Sequence, residues 1–137
     1  MLGASQLKQV DKFLAARRSI VGRYESAFSK ISQLILPREE TGVRSAWHLY
    51  PVRLQGDLAA RRGKIFASLR AAGVGAQVHF IPVYWHPYYQ KLGYAMGMCP
   101  RAEQFYESEL SLPVFPGLKR KDQDFVIKTV KQIVAGV

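Results

Sequence analysis

An apolar stripe at helical spacing constrains the first third of this chain more than any other feature does. Seven apolar residues recur at intervals of three, four or seven positions: Leu7, Val10, Leu14, Val21, Tyr24, Phe28 and Ile31. Such spacing places side chains on one face of an α-helix, so we predict a helix over residues 2–31. Arg17 occupies the one stripe position that is not apolar. A stripe of about four heptads with a central arginine fits packing on a sheet or a partner better than a coiled coil.

The stripe begins without a helix-capping residue. No Ser, Thr, Asp or Asn precedes Leu2, where the pattern is already running. Helices usually begin with one of these residues, because its side chain bonds a free backbone N–H group. We therefore expect this helix to continue one that begins upstream in a longer protein.

The remaining sequence alternates between strand-like and helix-like segments. Three segments predict strands, at residues 47–54, 74–81 and 110–113. Three predict helices, at residues 57–72, 100–109 and 122–134, and a single helical turn is expected near 88–92. Asp57 and Asp122 are predicted N-caps, and Gly73 is predicted to end the second helix. The last helix is predicted to bury a wide face made of Phe125, Val126, Thr129, Val130, Ile133 and Val134.

The order of these segments predicts an α/β (α+β) fold. We expect a two-layer sandwich, in which helices cover a small, mostly antiparallel sheet of about three strands. With 137 residues and 48% hydrophobic content, the chain fits a single domain spanning 1–137. The charged first thirty residues exclude a signal-peptide core, and no run approaches the ~20 apolar residues of a membrane span.

The chain is strongly basic, with a formal net charge of +10. Such an excess suggests an anionic partner, which could be nucleic acid, an acidic membrane or a phosphorylated small molecule. The basic residues form scattered pairs such as Arg17–Arg18 and Arg61–Arg62, rather than one helix face. That distribution favours solvated helix surfaces over a nucleic-acid site, and we expect neither nucleic acid nor membrane insertion.

The histidines and the cysteine do not form a recognisable reactive site. His79 and His86 lie seven positions apart with no acidic residue between them, and His48 is remote in sequence, so no metal site is predicted. Cys99 is the single cysteine and lacks any nucleophile signature, so no catalytic residue is assigned. A lone cysteine is typical of a reducing compartment, and we expect a cytoplasmic protein.

Aromatic residues crowd the segment between Pro82 and Pro87. Tyr84, Trp85 and His86 stand there, and Tyr88 and Tyr89 follow. Such a cluster can build a core or a protein interface, form a platform for a sugar or base, or stack on nucleic acid. These three interpretations stay open from the residues alone.

The chain carries no segment suited to pyridoxal phosphate (PLP). That cofactor needs a lysine for its Schiff base, an acid against its pyridine nitrogen and backbone donors for its phosphate. All nine lysines lie in polar or helical contexts, and none follows an apolar strand in a loop of small residues. We therefore expect no cofactor bound to this chain.

Several segments resemble the DegT/DnrJ-type (StrS-like) sugar-nucleotide aminotransferases, which use PLP. They are GASQL at residues 3–7, SAWHLY at 45–50, GVGAQVHFIP at 73–82, PYY at 87–89 and LSLPVFPG at 110–117. They match the C-terminal part of that family in order and spacing, across nearly the whole chain. The wording of residues 77–84 is most similar to the transaminases that aminate C4 of a UDP-linked 4-keto-6-deoxy-N-acetyl sugar, the UDP-4-amino-4,6-dideoxy-N-acetyl-altrosamine transaminases.

The resemblance implies that this chain is the C-terminal small domain of a fold-type I aminotransferase. It implies that the Schiff-base lysine and most cofactor ligands lie in a large domain that this sequence lacks. It also implies a homodimer, a nucleotide-sugar substrate and an amino donor such as glutamate. His79 matches the family's histidine at the mouth of the substrate cleft, and Tyr84 and His86 fall in the adjoining loop. These three residues are the candidate substrate contacts.

Two rival functions remain from other classes. One is a free-standing basic module that binds nucleotide or RNA through residues 84–89. The other is a purely structural interaction domain with no ligand contact, in which His79 is a strand residue bonded to backbone.

Overall fold

The computed structural model describes residues 2–136, apart from the side chains of Leu2 and Ala4. Met1 and Val137, the ends of the predicted domain 1–137, lie outside the described residues. The elements are α1 (Leu2–Leu7), α2 (Val10–Phe28), β1 (Leu34–Ile35), β2 (Tyr50–Leu54), α3 (Asp57–Ala60), α4 (Arg62–Ala71), a 3₁₀ turn (Val83–Trp85), α5 (Pro87–Lys91), α6 (Pro100–Ser108), β3 (Glu109–Leu112) and α7 (Arg120–Ala135). Within residues 2–136, no helix has the length and apolar character that crossing a bilayer requires.

The sheet has three antiparallel strands in the order β1-β2-β3. Burial alternates along β2, where Tyr50, Val52 and Leu54 face the core. This period of two is that of a strand with one face buried. The predicted two-layer arrangement, with helices covering a small antiparallel sheet, is confirmed.

One apolar cluster holds the sheet to four helices. Buried residues of α2, α3, α4 and α7 meet those of all three strands there, and Tyr24 stacks on Phe28 and lies 5.1 Å from Tyr50 between ring centroids. A buried amide ties two of the helices together, because Gln123 of α7 donates to the carbonyl of Ile20 (2.7 Å). Apolar burial thus holds the layers together, and this contact links α2 to α7 together with the hydrogen bonds that Arg23 donates to Gln123 and Asp124.

The predicted helix over 2–31 is wrong in its continuity. It breaks at Lys8–Gln9, and α2 ends at Phe28. The stripe residues Val21, Tyr24 and Phe28 are buried, whereas Leu7 is 71% exposed. Because short helices depend on tertiary packing, the unpacked first turns do not continue the helix in register. Arg17 packs within this region, with its Nε buried and without a hydrogen-bond partner among the described residues.

The predicted helix over 57–72 is divided at Arg61 into α3 and α4, and Gly56 rather than Asp57 is its N-cap. The predicted end is confirmed. Gly73 has φ +86°, its N–H donates to Arg70, and the N–H of Val74 donates to Leu69 (2.9 Å). These two backbone hydrogen bonds form a Schellman motif, which requires left-handed backbone angles at the position of Gly73.

The second predicted strand, over 74–81, is also wrong. Only Gln77 pairs, through one isolated bridge to Ser111. The third strand of the sheet is instead Leu34–Ile35, which the sequence pattern missed. Two residues are too short a run for alternation to be read, and β1 exists because Leu54 lies opposite Leu34.

The last helix begins two residues earlier than predicted. Its N-cap is Lys119, so Asp122 lies in the first turn and is not the cap. Val126, Val130 and Val134 are buried as predicted, but Phe125 is 48% exposed, which corrects its assignment to the apolar face. Phe125 directly precedes Val126, and the helical period of 3.6 turns it off the buried stripe.

Candidate functional site

His79 lies against a buried acid at the start of β3. Glu109 is fully buried, and its Oε2 accepts the backbone N–H of His79 (2.9 Å). Its Oε1 accepts the hydroxyl of Ser111 (2.5 Å) and lies 3.5 Å from His79 Nδ1. The side chain of Glu109 thus occupies the place of a backbone partner, which explains why residues 78–81 leave the sheet.

Tyr84 belongs to a second cluster, centred on Glu103 of α6. Glu103 Oε1 accepts the Tyr84 hydroxyl (2.6 Å), the Gly97 N–H (2.6 Å) and the Trp85 indole N–H (3.4 Å). A single carboxylate oxygen therefore joins the 3₁₀ turn (Val83–Trp85) to Gly97, within the segment between α4 and α6. Hydrogen bonds to a charged group are among the stronger ones, so Glu103 defines the shape of this loop.

This cluster shifts two pKa values. Burial raises the pKa of Tyr84 to about 12, and the hydrogen bond to Glu103 adds to the effect. The same hydrogen bond from Tyr84 holds the pKa of Glu103 below its usual value, with help from the Gly97 N–H. Tyr84 is therefore a neutral hydrogen-bond donor throughout the physiological range, and Glu103 is its charged acceptor.

Helix α6 connects the two clusters. Phe105 meets the His79 ring edge-to-face at 6.2 Å, and Tyr106 meets Trp85 at 5.6 Å. The Arg62 guanidinium lies 5.3 Å from the Tyr106 ring centroid, a cation–π contact from α4. Because Glu103, Phe105 and Tyr106 lie within four residues of one helix, α6 places both clusters on the same part of the fold.

The third candidate, His86, stands apart. It is exposed at the N-cap position of α5, and among the described residues its side chain makes no hydrogen bond. The fold thus gives His79 and Tyr84 defined partners, while His86 is available at the surface of the same loop. That any of the three contacts a substrate stays a prediction.

The residues present do not fit PLP. All nine lysines lie among the described residues, and each is exposed to solvent. A lysine that forms a Schiff base needs a desolvated position beside the cofactor, which lowers its pKa. Among the described residues there is likewise no cluster of three His, Cys, Asp or Glu side chains able to hold a metal.

The sequence analysis did not identify Glu109 and Glu103 as members of this site. Glu109 directly precedes the apolar pattern Leu110–Leu112, and an acid bordering a buried strand is a signal that it has a buried partner. Glu103 follows the helix-opening Pro100 by one turn, a common place for an acid that meets free N–H groups. Neither signal names the partner, because His79 and Tyr84 are distant in sequence.

This chain matches one protein-family model over most of its length. The model of the DegT/DnrJ/EryC1/StrS aminotransferase family matches residues 1–131. Spore coat polysaccharide biosynthesis protein SpsC of Bacillus subtilis is 41% identical over 98% of this chain, which covers 36% of SpsC. This chain therefore spans about a third of the length of the relatives it matches.

A second relative and a solved structure are also matched over about a third of their own length. The UDP-4-amino-4,6-dideoxy-N-acetyl-beta-L-altrosamine transaminase of Campylobacter jejuni is 34% identical over 99% of this chain and 36% of its own length. The solved structure of Spr1654 from Streptococcus pneumoniae in its PLP-form superposes with a TM-score of 0.90 at 32% identity, over 98% of this chain and 34% of that one. The fold described above is thus the fold of one third of such a molecule.

Proposed function

Because the chain belongs to the DegT/DnrJ/EryC1/StrS aminotransferase family, we propose that residues 1–137 form the C-terminal small domain of a PLP-dependent transaminase acting on a nucleotide-linked keto sugar. The observation that carries this proposal is the family match over residues 1–131, combined with coverage of about a third of the relatives. The whole enzyme moves an amino group, with glutamate as donor, onto a sugar for a surface polysaccharide or glycan. Its setting is cytoplasmic, and its assembly is a homodimer.

Within this proposal, the chemistry of PLP is supplied by a part of the protein outside this chain. The chain itself covers the substrate cleft and excludes water with the aromatic-rich loop of residues 82–97. His79, Tyr84 and His86 contact the sugar or the diphosphate, and the excess of basic residues favours the anionic nucleotide. The C. jejuni relative, which its name places on a UDP-linked amino sugar, supports this substrate class.

The nucleic-acid alternative has less support. Trp85 meets Tyr84 edge-to-face at 6.4 Å and Tyr106 at 5.6 Å, and Tyr89 meets Tyr88 and Tyr94 in the same way. A base-stacking platform needs free aromatic faces. Trp85, Tyr89 and Tyr106 are half-buried in this packing, which favours a shaped, self-supporting loop over such a platform, whereas Tyr88 is 68% exposed.

The test uses the full-length enzyme that contains this chain. His79→Ala is expected to lower kcat/KM for the UDP-linked keto sugar on the order of 10- to 100-fold, because a hydrogen bond to a charged group contributes about 1.5–3 kcal/mol. The absorbance of bound PLP is expected to stay intact. His48→Ala, which changes an exposed histidine before β2, is the matched control and should leave both readouts unchanged.

Two results would contradict the proposal. If His79→Ala leaves kinetics unchanged and lowers only the melting temperature, His79 is structural. If the full-length protein lacks transaminase activity on every nucleotide-linked keto sugar tried, the assigned reaction is wrong. The isolated 137-residue chain is expected to show no transamination and no specific Schiff-base absorbance with added PLP.

A further inference from the structure

We propose that Glu109 and Ser111 are positioning residues for His79. They hold the imidazole with its proton on Nδ1 and leave Nε2 as the nitrogen that meets the substrate. This inference deepens the proposed function and rests on it in placing His79 on the substrate side. The proton arrangement itself follows from the three residues and is tested without any substrate.

The first step concerns the buried carboxylate. Glu109 has no exposed surface, and both of its oxygens accept hydrogen bonds, from the His79 N–H and from the Ser111 hydroxyl. Arg53 lies opposite Glu109 in the β2–β3 register, yet within residues 2–136 the basic side chain that reaches the Glu109 carboxylate is His79, with Nδ1 3.5 Å from Oε1. Burying a carboxylate costs free energy unless the group is hydrogen-bonded or paired. The hydrogen bonds from His79 and Ser111 therefore stabilise Glu109 at this buried position.

The second step concerns the proton. Ser111 Oγ lies 3.4 Å from His79 Nδ1, and Glu109 Oε1 lies 3.5 Å from the same nitrogen. The Ser111 hydroxyl donates its one hydrogen to Glu109, so its oxygen faces Nδ1 as an acceptor. A carboxylate oxygen is an acceptor as well. With two acceptors against it, Nδ1 is the nitrogen that carries the proton.

The third step concerns the ring. The edge-to-face contact with Phe105, at an interplanar angle of 87°, holds the plane of the imidazole, while Glu109 holds its backbone. The side chain is 36% exposed. Because Nδ1 faces the buried pair, Nε2 on the other side of the ring is the nitrogen available to a ligand. In neutral His79, Nε2 is therefore a hydrogen-bond acceptor for a ligand. In protonated His79, Nε2 is a donor, and the ring lies beside the Glu109 carboxylate.

The experiment reads the tautomer of each histidine in the 137-residue chain. Long-range ¹H–¹⁵N correlation spectra distinguish a protonated ring nitrogen from a bare one, and a series recorded at rising pH identifies the neutral form of each ring, whose tautomer is then read. His79 is assigned from the signals lost in His79→Gln. His48 and His86 are exposed and serve as internal references within the same spectrum.

In the wild type, we expect His79 to be mainly protonated on Nδ1, unlike His48 and His86. Glu109→Gln should return His79 to the tautomer mixture of the exposed histidines, since it removes the charged acceptor. Ser111→Ala, which changes no charge, should shift the tautomer of His79 in the same direction. This variant tests the proposal even if Glu109→Gln does not fold. Glu107→Gln, the same change at an exposed position two residues earlier, should leave the pattern unaltered.

The proposal is overturned if wild-type His79 shows the same mixture as His48 and His86. It is equally overturned if Glu109→Gln and Ser111→Ala fold, as judged by dispersed amide spectra, and keep the wild-type pattern. Because this readout requires neither PLP nor a sugar nucleotide, its failure is distinct from failure of the proposed transamination.

Discussion

At the scale of single residues, the core contains two tyrosines with unequal hydrogen bonding. Tyr24 and Tyr50 are both fully buried and adjacent. The Tyr24 hydroxyl donates to the carbonyl of Pro113 (2.9 Å), whereas the Tyr50 hydroxyl has no partner among the described residues. Burial raises the pKa of both phenols well above the usual value, so both stay neutral.

Replacing each tyrosine with phenylalanine should have opposite effects. Tyr50→Phe is expected to be neutral or to stabilise the chain by up to about 1–3 kcal/mol, because it removes a buried hydroxyl that lacks a partner. Tyr24→Phe is expected to cost about 0.5–1.5 kcal/mol, the usual contribution of a hydrogen bond. Urea denaturation measures both free energies of unfolding, and a clear destabilisation by Tyr50→Phe would show that its hydroxyl is bonded.

Tyr84 offers a test of the Glu103 cluster by pH titration. Its ¹³Cζ signal is expected to titrate near pH 12, and Glu103→Gln should move that midpoint down toward the ordinary value of about 10. The shift is expected to be partial, since burial is the larger cause and remains. Glu107→Gln, one turn later on α6 and exposed, should leave the midpoint in place. An unchanged midpoint in Glu103→Gln would mean that the two side chains do not bond in solution.

At the scale of elements, the turn after α4 depends on one left-handed residue. Gly73 has φ +86°, and a Cβ there would meet no atom within 4 Å. Any effect of adding a side chain is therefore conformational and not a clash.

Gly73→Ala is expected to lower the free energy of unfolding by about 1–2 kcal/mol, the cost of left-handed backbone for a residue with a Cβ. Gly22→Ala, in the middle of α2 and equally free of contacts, should instead raise it by about 0.4–1 kcal/mol. Chemical denaturation of the two variants checks the pair. Equal effects of the same sign would show that the Schellman turn does not form.

At the scale of the whole molecule, the stripe that opens the chain is left partly uncovered. Leu7 at the end of α1 and Val10 at the start of α2 are exposed, although the sequence spacing groups them with the buried Val21, Tyr24 and Phe28. Exposed apolar residues in a group usually meet a partner. We therefore expect the 137-residue chain to self-associate at high concentration.

Sedimentation velocity is expected to show a dimer or a larger species. The double variant Leu7→Ser with Val10→Ser should weaken the association by on the order of tenfold or more, because each buried aliphatic side chain contributes about 1.5–3 kcal/mol. Phe125→Ser removes a comparable exposed apolar side chain from α7 and should have no such effect. A strictly monomeric wild-type chain at high concentration would contradict this expectation.

Periodic and capping signals in the sequence were enough to predict much of this fold. The aromatic and branched residues of segment 47–54 predicted β2, segment 100–109 predicted α6, and Gly73 predicted the end of α4. These signals are local, since each rests on spacing or on the backbone preference of one residue. Local signals also predicted a strand at residues 74–81. A strand forms only where it pairs with a neighbouring strand, and in this stretch only Gln77 pairs, with Ser111.

The sequence by itself was enough to identify the family and the layers, and its resemblance to that family named His79, Tyr84 and His86 as predicted substrate contacts. Only the tertiary structure decided that Leu34–Ile35 is a strand, because Leu54 lies opposite it, and that residues 78–81 are not. It also decided that Glu109 meets His79 and that Glu103 meets Tyr84, across separations of 30 and 19 residues. Such pairings depend on how distant segments pack, and no local propensity encodes the partner of a buried charge.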